Sequence, residues 1–98
     1  MVLEELNKRK DNVIKRVLER DRQLTLEAIE RIAKYFEEHE AELCHSNIVC
    51  PEIIMAEEKR PLVRQKIPLV LAAMCSEGIV KLDEEKTLEC GIPHYRIK

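Results

Sequence analysis

Apolar residues recur along the first quarter of the chain at helical intervals. Leu3, Leu6, Val13, Val17 and Leu24 are separated by three, seven, four and seven positions, with Ile14 and Leu18 widening the stripe, which is the pattern of one face of an α-helix. Residues 1–24 are therefore expected to form an N-terminal helix. Lys10 and Arg20 interrupt its seam, which disfavours a long independent coiled coil and leaves a helix that either covers its own domain or crosses the same helix of a second copy. Asp21 and Thr25 are residue types that end one helix and cap the next, so the boundary is placed at residues 21–25. Leu26, Ile29, Ala33, Phe36 and Leu43, broadened by Ile32, then predict a core helix of about four to five turns. Its polar face, with Glu30, Lys34, Glu37, Glu38 and Glu42, is acidic and would lie away from any phosphate backbone.

The pattern breaks at His45-Ser46-Asn47. Cys50-Pro51 then opens a short helix over residues 51–59, because proline fits the first helical turn without removing a needed donor; it should bury Ile53, Ile54 and either Ala56 or the stem of Glu57. Pro61 opens another helix, which presents Val63, Ile67, Val70, Leu71 and Met74 inward and stops at Gly78, a residue suited to a left-handed cap. Its outward face is read as Arg60, Arg64, Gln65, Pro68 and Ala72. Pro68 leaves the carbonyl of Arg64 without its usual donor, predicting either a kink or a helix that restarts there. After Gly78 the period shortens: residues 79–82 read as a strand, 83–86 as a turn, and both 87–90 and 94–98 have the length and alternation of a returning strand.

Composition narrows the class. With 98 residues, 45% of them apolar and 37% charged, the chain fits one domain with one core. Tyr35, Phe36 and Tyr95 are its only aromatic residues, too few for a platform that stacks single-stranded bases. The apolar runs are short and charged, and the start MVLEELNKRKDN lacks the pattern of a secretion signal, so a cytoplasmic protein without membrane partners is expected. The net charge of −2 hides a basic final stretch, residues 59–98, which holds eight bases and five acids.

Helix, short helix, turn, helix, glycine and strand pair, with the step Met74-x-x-x-Gly78-Ile79-Val80 and the ending HYRI, resemble a winged helix-turn-helix domain. The resemblance covers residues 25–98 and implies a mainly α fold with a small β wing, preceded by the helix of residues 1–24. In that family the second helix of the motif enters the major groove and the wing touches the backbone. Transferred here, the resemblance assigns base-edge or phosphate contacts to Arg60, Arg64 and Gln65, and backbone contacts to Lys81, Lys86 or Arg96. It implies a small regulator of transcription that binds double-stranded DNA. The apolar stripe of Leu3, Leu6, Val13 and Val17 lies on a segment the winged core does not need, and is expected to join two copies as a homodimer. Pro68 and Ala72 on the reading face, and Asp83, Glu84, Glu85 and Glu89 in the wing, keep open a winged helix that docks a protein partner without touching DNA.

Other chemistries find little support. Cys44, Cys50, Cys75 and Cys90, with His39, His45 and His94, are enough ligands for zinc, but no Cys-x2-Cys knuckle is present, and free thiols without a metal or other cofactor are expected. Cys44 with Cys50, and Cys75 with Cys90, are the pairs that oxidation would join. Two glycines cannot make a phosphate cradle, and His39 beside Glu42 reads as a solvated helix face, so no enzymatic activity is expected.

Overall fold

A computed structural model describes residues 2–17, 22–39 and 48–97. Expectations placed on Leu18, Arg20, Asp21, Glu42, Leu43, Cys44 and His45-Ser46-Asn47 fall outside these residues. In chain order the elements are α1 (Val2–Lys8), α2 (Lys10–Arg16), α3 (Arg22–Glu38), β1 (Ile48–Val49), α4 (Pro51–Glu57), α5 (Pro61–Ser76), β2 (Val80–Leu82), α6 (Glu84–Cys90) and β3 (Tyr95–Ile97). The domain is mainly helical, with a three-stranded antiparallel sheet in the order β1-β3-β2. That shape is coarsely compatible with a winged helix.

Helices α3 and α5 make the most extensive packing in the fold. Ala28, Ile29, Ile32 and Phe36 of α3 meet a core that includes Ile67, Val70, Leu71 and Met74 of α5, all of them buried. The inward face read for α5 is therefore the observed one. The helix runs unbroken across Pro68, so it does not restart there; only the donor to the Arg64 carbonyl is missing. At its end Gly78 takes a φ of 76°, while its N–H bonds the Cys75 carbonyl and that of Ile79 bonds the Met74 carbonyl. These two bonds are the Schellman arrangement, and the buried pair Met74 and Ile79 supplies its apolar contact.

Four local expectations are corrected. The N-terminal segment is not one helix but two, joined at Arg9, whose ψ of 13° departs from helical geometry. Helix α3 starts three residues before Thr25, and Thr25 is fully buried inside it with its hydroxyl unpaired, because it shares the core-facing phase of Ala28, Ile29 and Ile32 and so cannot serve as the exposed cap. Ile53 is 51% exposed and Ala56 and Glu57 are exposed, leaving Ile54 as the wholly buried apolar anchor of α4 beside Pro51. Finally, residues 84–90 form α6 instead of a turn and strand.

The last correction has a clear local cause. The Asp83 carboxylate accepts the Lys86 N–H at 2.9 Å, Glu84 and Glu85 occupy the positive first turn, and Gly91 closes the helix with a φ of 75°. The segment from Asp83 to Gly91 is thus a complete helix cassette. The returning strand is β3, in which Arg96 faces Lys81 on one side and Ile48 on the other, with Tyr95 opposite Leu82 and Val49. Strand β1 had no counterpart in the sequence reading, since two residues are too few to show alternation.

Candidate interaction surface

The bases assigned to DNA contact do not form one open basic face. Arg60 stands at the N-cap of α5, where its guanidinium pairs with Glu58 at 3.0 Å and with Glu27 at 3.1 Å. Glu58 is buried, yet its carboxyl is held below the ordinary 4.5, chiefly by the hydrogen bond from the Arg60 side chain, which outweighs the upward push of burial. Arg64, expected outward, is half-buried and folds back along the α4–α5 turn; its Nε donates to the Glu58 carbonyl at 2.9 Å and its Nη2 to that of Lys59 at 3.4 Å. Gln65 is exposed as expected.

In the wing region Lys81 and Arg96 lie directly opposite each other, both exposed, and so share the outer face of the sheet. Arg96 is 3.7 Å from the Asp83 carboxylate, and Lys86 is half-buried with Glu89 at 4.0 Å. Among the described residues of the wing, Arg96 and Lys86 therefore each have an acid beside them. The wing itself is tied down: the His94 N–H donates to the Thr87 hydroxyl at 3.0 Å, and the Asp83 N–H donates to the His94 carbonyl at 2.9 Å.

The outward surface of α5 has a different character. Leu62 is 61% and Leu69 52% exposed, and Gln65, Ala72 and Ser76 are exposed with them. Spacings of three, four, three and four place all five on one side of the helix, opposite Val63, Ile67 and Val70. The two leucines were absent from the outward face read from sequence, although their spacing from Gln65 and Ala72 carries the signal. Beside this stripe a shallow depression is lined by Arg16, Val17, Leu69, Ala72, Ala73 and Ser76, where α2 meets α5.

The residues expected to join two copies are used within the chain. Leu6, Val13 and Val17 are buried in its own core and Leu3 packs partly buried against it, so this stripe offers little exposed apolar surface to a second copy. Helices α1 and α2 are also bonded to the end of α5: Arg9 donates to the Glu77 carbonyl, and Arg16 meets the Glu77 carboxylate at 2.5 Å. The Arg16 hydrogen bond is the main reason that the Glu77 carboxyl is lowered.

Among the described residues, Glu38, His39 and Glu57 are grouped closely enough to hold a metal ion. The guanidinium of Arg31 already sits between the two carboxylates, 2.7 Å from Glu57 and 3.9 Å from Glu38, and His39 stacks on Tyr35 with ring centroids 4.3 Å apart. The cluster is thus an ion-pair network whose charge is offset by a cation that a metal would have to displace. Of the cysteines, Cys50 and Cys75 are half-buried and Cys90 is exposed, all as free thiols. No described helix is long and apolar enough to cross a membrane.

Comparison with protein-family models, curated proteins and solved structures finds no match to this chain.

Proposed function

We propose that the chain is a non-enzymatic protein-interaction module of winged-helix type, which docks a partner through the outward face of α5. The observation that carries this is the uncharged stripe of Leu62, Gln65, Leu69, Ala72 and Ser76, with both leucines more than half exposed. A helix that reads base edges needs donors and acceptors along this face, and here Gln65 and Ser76 alone supply them. Half-exposed leucines at regular spacing instead gain by leaving water against another apolar surface. The engagement of Arg60 and Arg64 with Glu58, Glu27 and backbone carbonyls supports the same reading.

A DNA-binding regulator is the second reading, favoured by Lys81 and Arg96 side by side on the open sheet face. Titration of the purified chain with mixed-sequence duplex DNA over a salt series tests the two. The expected result is no binding that weakens with salt and depends on Arg64, Lys81 and Arg96. Duplex binding with a steep salt dependence, lost in the triple alanine variant while the fold is retained, would reverse the preference. In parallel, changing Leu62 and Leu69 to Ser should reduce binding of a dye that reports exposed apolar surface.

A further inference from the structure

We propose that the outward face of α6 docks a basic amphipathic segment of a partner protein, which sets an apolar side chain against Leu88 and Lys or Arg side chains against the carboxylates around it. This face belongs to a different element from the outward side of α5, and either surface can fail without the other. Two antiparallel strands can be joined by a two-residue turn, yet β2 and β3 are joined through residues 83–94, which hold a helix capped at both ends. That helix buries none of its residues, and no other element packs extensively against it. It adds little to the core, and what it offers is its surface.

Helical phase divides that surface. Thr87 turns towards the chain entering β3, where its hydroxyl accepts the His94 N–H at 3.0 Å, and Lys86 beside it is half-buried. On the other side Leu88 shares a face with Glu84, four residues before it, and Glu85, three before it, with Glu89 following. All four are exposed, and Leu88, at 85%, is the most exposed large apolar residue among those described. Among the described residues neither Glu84 nor Glu85 has an ion-pair partner, and Glu89 has only Lys86, at 4.0 Å.

The charge of the face selects its occupant. Carboxylates on Glu84, Glu85 and Glu89 repel the phosphates of nucleic acid and an anionic membrane surface alike, and a second copy laid on the same face would set each acid against like charges. An uncharged apolar surface would cover Leu88 but strip the carboxylates of water without pairing them. A segment that combines cations with a large apolar side chain satisfies both, since Lys or Arg reaches the carboxylates while the apolar side chain leaves water together with Leu88. The charges at the rim steer the encounter, and the leucine contact holds it. The helix has seven residues, a length of about 10 Å, so the contact is small and the affinity modest.

The test is a nuclear magnetic resonance titration of the full chain with a helical peptide built of Leu and Lys, its leucines at every third or fourth position. Two control peptides carry Glu in place of each Lys, or Ser in place of each Leu. The expected result is amide shifts centred on Glu84–Cys90, slower amide exchange there, binding that weakens as salt screens the charges, and no response to either control. Leu88→Ala should weaken binding about tenfold, the size expected when a leucine contact is lost. The triple variant of Glu84→Gln, Glu85→Gln and Glu89→Gln should lose most of the salt dependence. Both variants keep the Asp83 and Gly91 caps, and the three peptides decide the matter on the wild type even where a variant frays. No binding of the Leu and Lys peptide, equal binding of the Ser-containing control, or shifts centred on another part of the molecule would each overturn the proposal. Shifts centred on Leu62 and Leu69 would do so while leaving the α5 reading in place.

Discussion

Glu58 illustrates how a single buried carboxylate can redirect the chemistry of a surface. It holds Arg60 by side chain and backbone N–H, and its own carbonyl holds Arg64, so two cations expected on an open face are tied to the turn before α5. The consequence for acid stability has a definite sign. Glu58 and Glu77 both have carboxyls lowered in the folded state from the ordinary 4.5, by hydrogen bonds from Arg60 and Arg16 respectively. Their contribution is fully present above that ordinary value and is lost as pH falls through the lower folded values. Urea unfolding should accordingly show stability declining below about pH 4.5, and the double variant of Glu58→Gln and Glu77→Gln should show a shallower decline; equal slopes would remove these two groups as the cause. At Gly91, with φ 75° and open space where a Cβ would stand, alanine meets only the backbone penalty. Gly91→Ala should weaken the end of α6 by about 1–2 kcal/mol, with Gly91→Asn closer to wild type when amide exchange in α6 is measured.

At the level of elements, the N-terminal pair and the wing helix behave oppositely. Helices α1 and α2 are part of the core, through Leu6, Val13, Ile14 and Val17. Leu6→Ala should therefore cost about 2–5 kcal/mol in denaturant unfolding, and the loss should be independent of protein concentration; a loss that vanished on dilution would point to an intermolecular role for this segment. Helix α6 buries none of its residues and owes its existence to caps. Asp83→Ala should cost α6 about 1 kcal/mol, seen as faster amide exchange from Glu84 to Cys90, while the unfolding of the rest changes little. Thr87 through Cys90 looked like a strand because four residues can satisfy either period. Asp83 and Gly91, read together as the two ends of one unit, identify the helix.

For the whole molecule, cooperativity should follow packing. The slowest amide exchange is expected in α3 and α5, whose contact is the most extensive and whose inner faces are buried, and the fastest of the helices in α6. Uniform protection across α3, α5 and α6 would contradict this division. Charge is also decided at this scale. The basic excess after residue 58 is real in the sequence, but three of its eight bases point to different acids: Arg60 to Glu27 on α3, Arg96 to Asp83 at the start of α6, and Lys86 to Glu89 within α6. That dispersal is a second reason to expect no salt-dependent duplex binding, independently of the apolar character of α5.

The sequence by itself determined the elements whose signals are local and repeated: the buried stripe of α5, the proline starts of α4 and α5, the cap at Gly78 and the helical character of α3. These depend on residues within one or two turns of each other, where periodicity and backbone preference act directly. It also contained the Asp83 and Gly91 caps and the spacing of Leu62, Gln65, Leu69 and Ala72, signals that become decisive only when read against their surroundings. The tertiary structure alone decided which candidate strand pairs with β2, that Thr25 is enclosed, that the first helical stripe is covered by its own domain, and that Arg60 and Arg64 are engaged by Glu58 and its neighbours. Each of these depends on what a residue meets from a distant part of the chain. Helical phase says which way a side chain leaves the backbone, whereas burial and ion pairing are settled by the elements that arrive on that side.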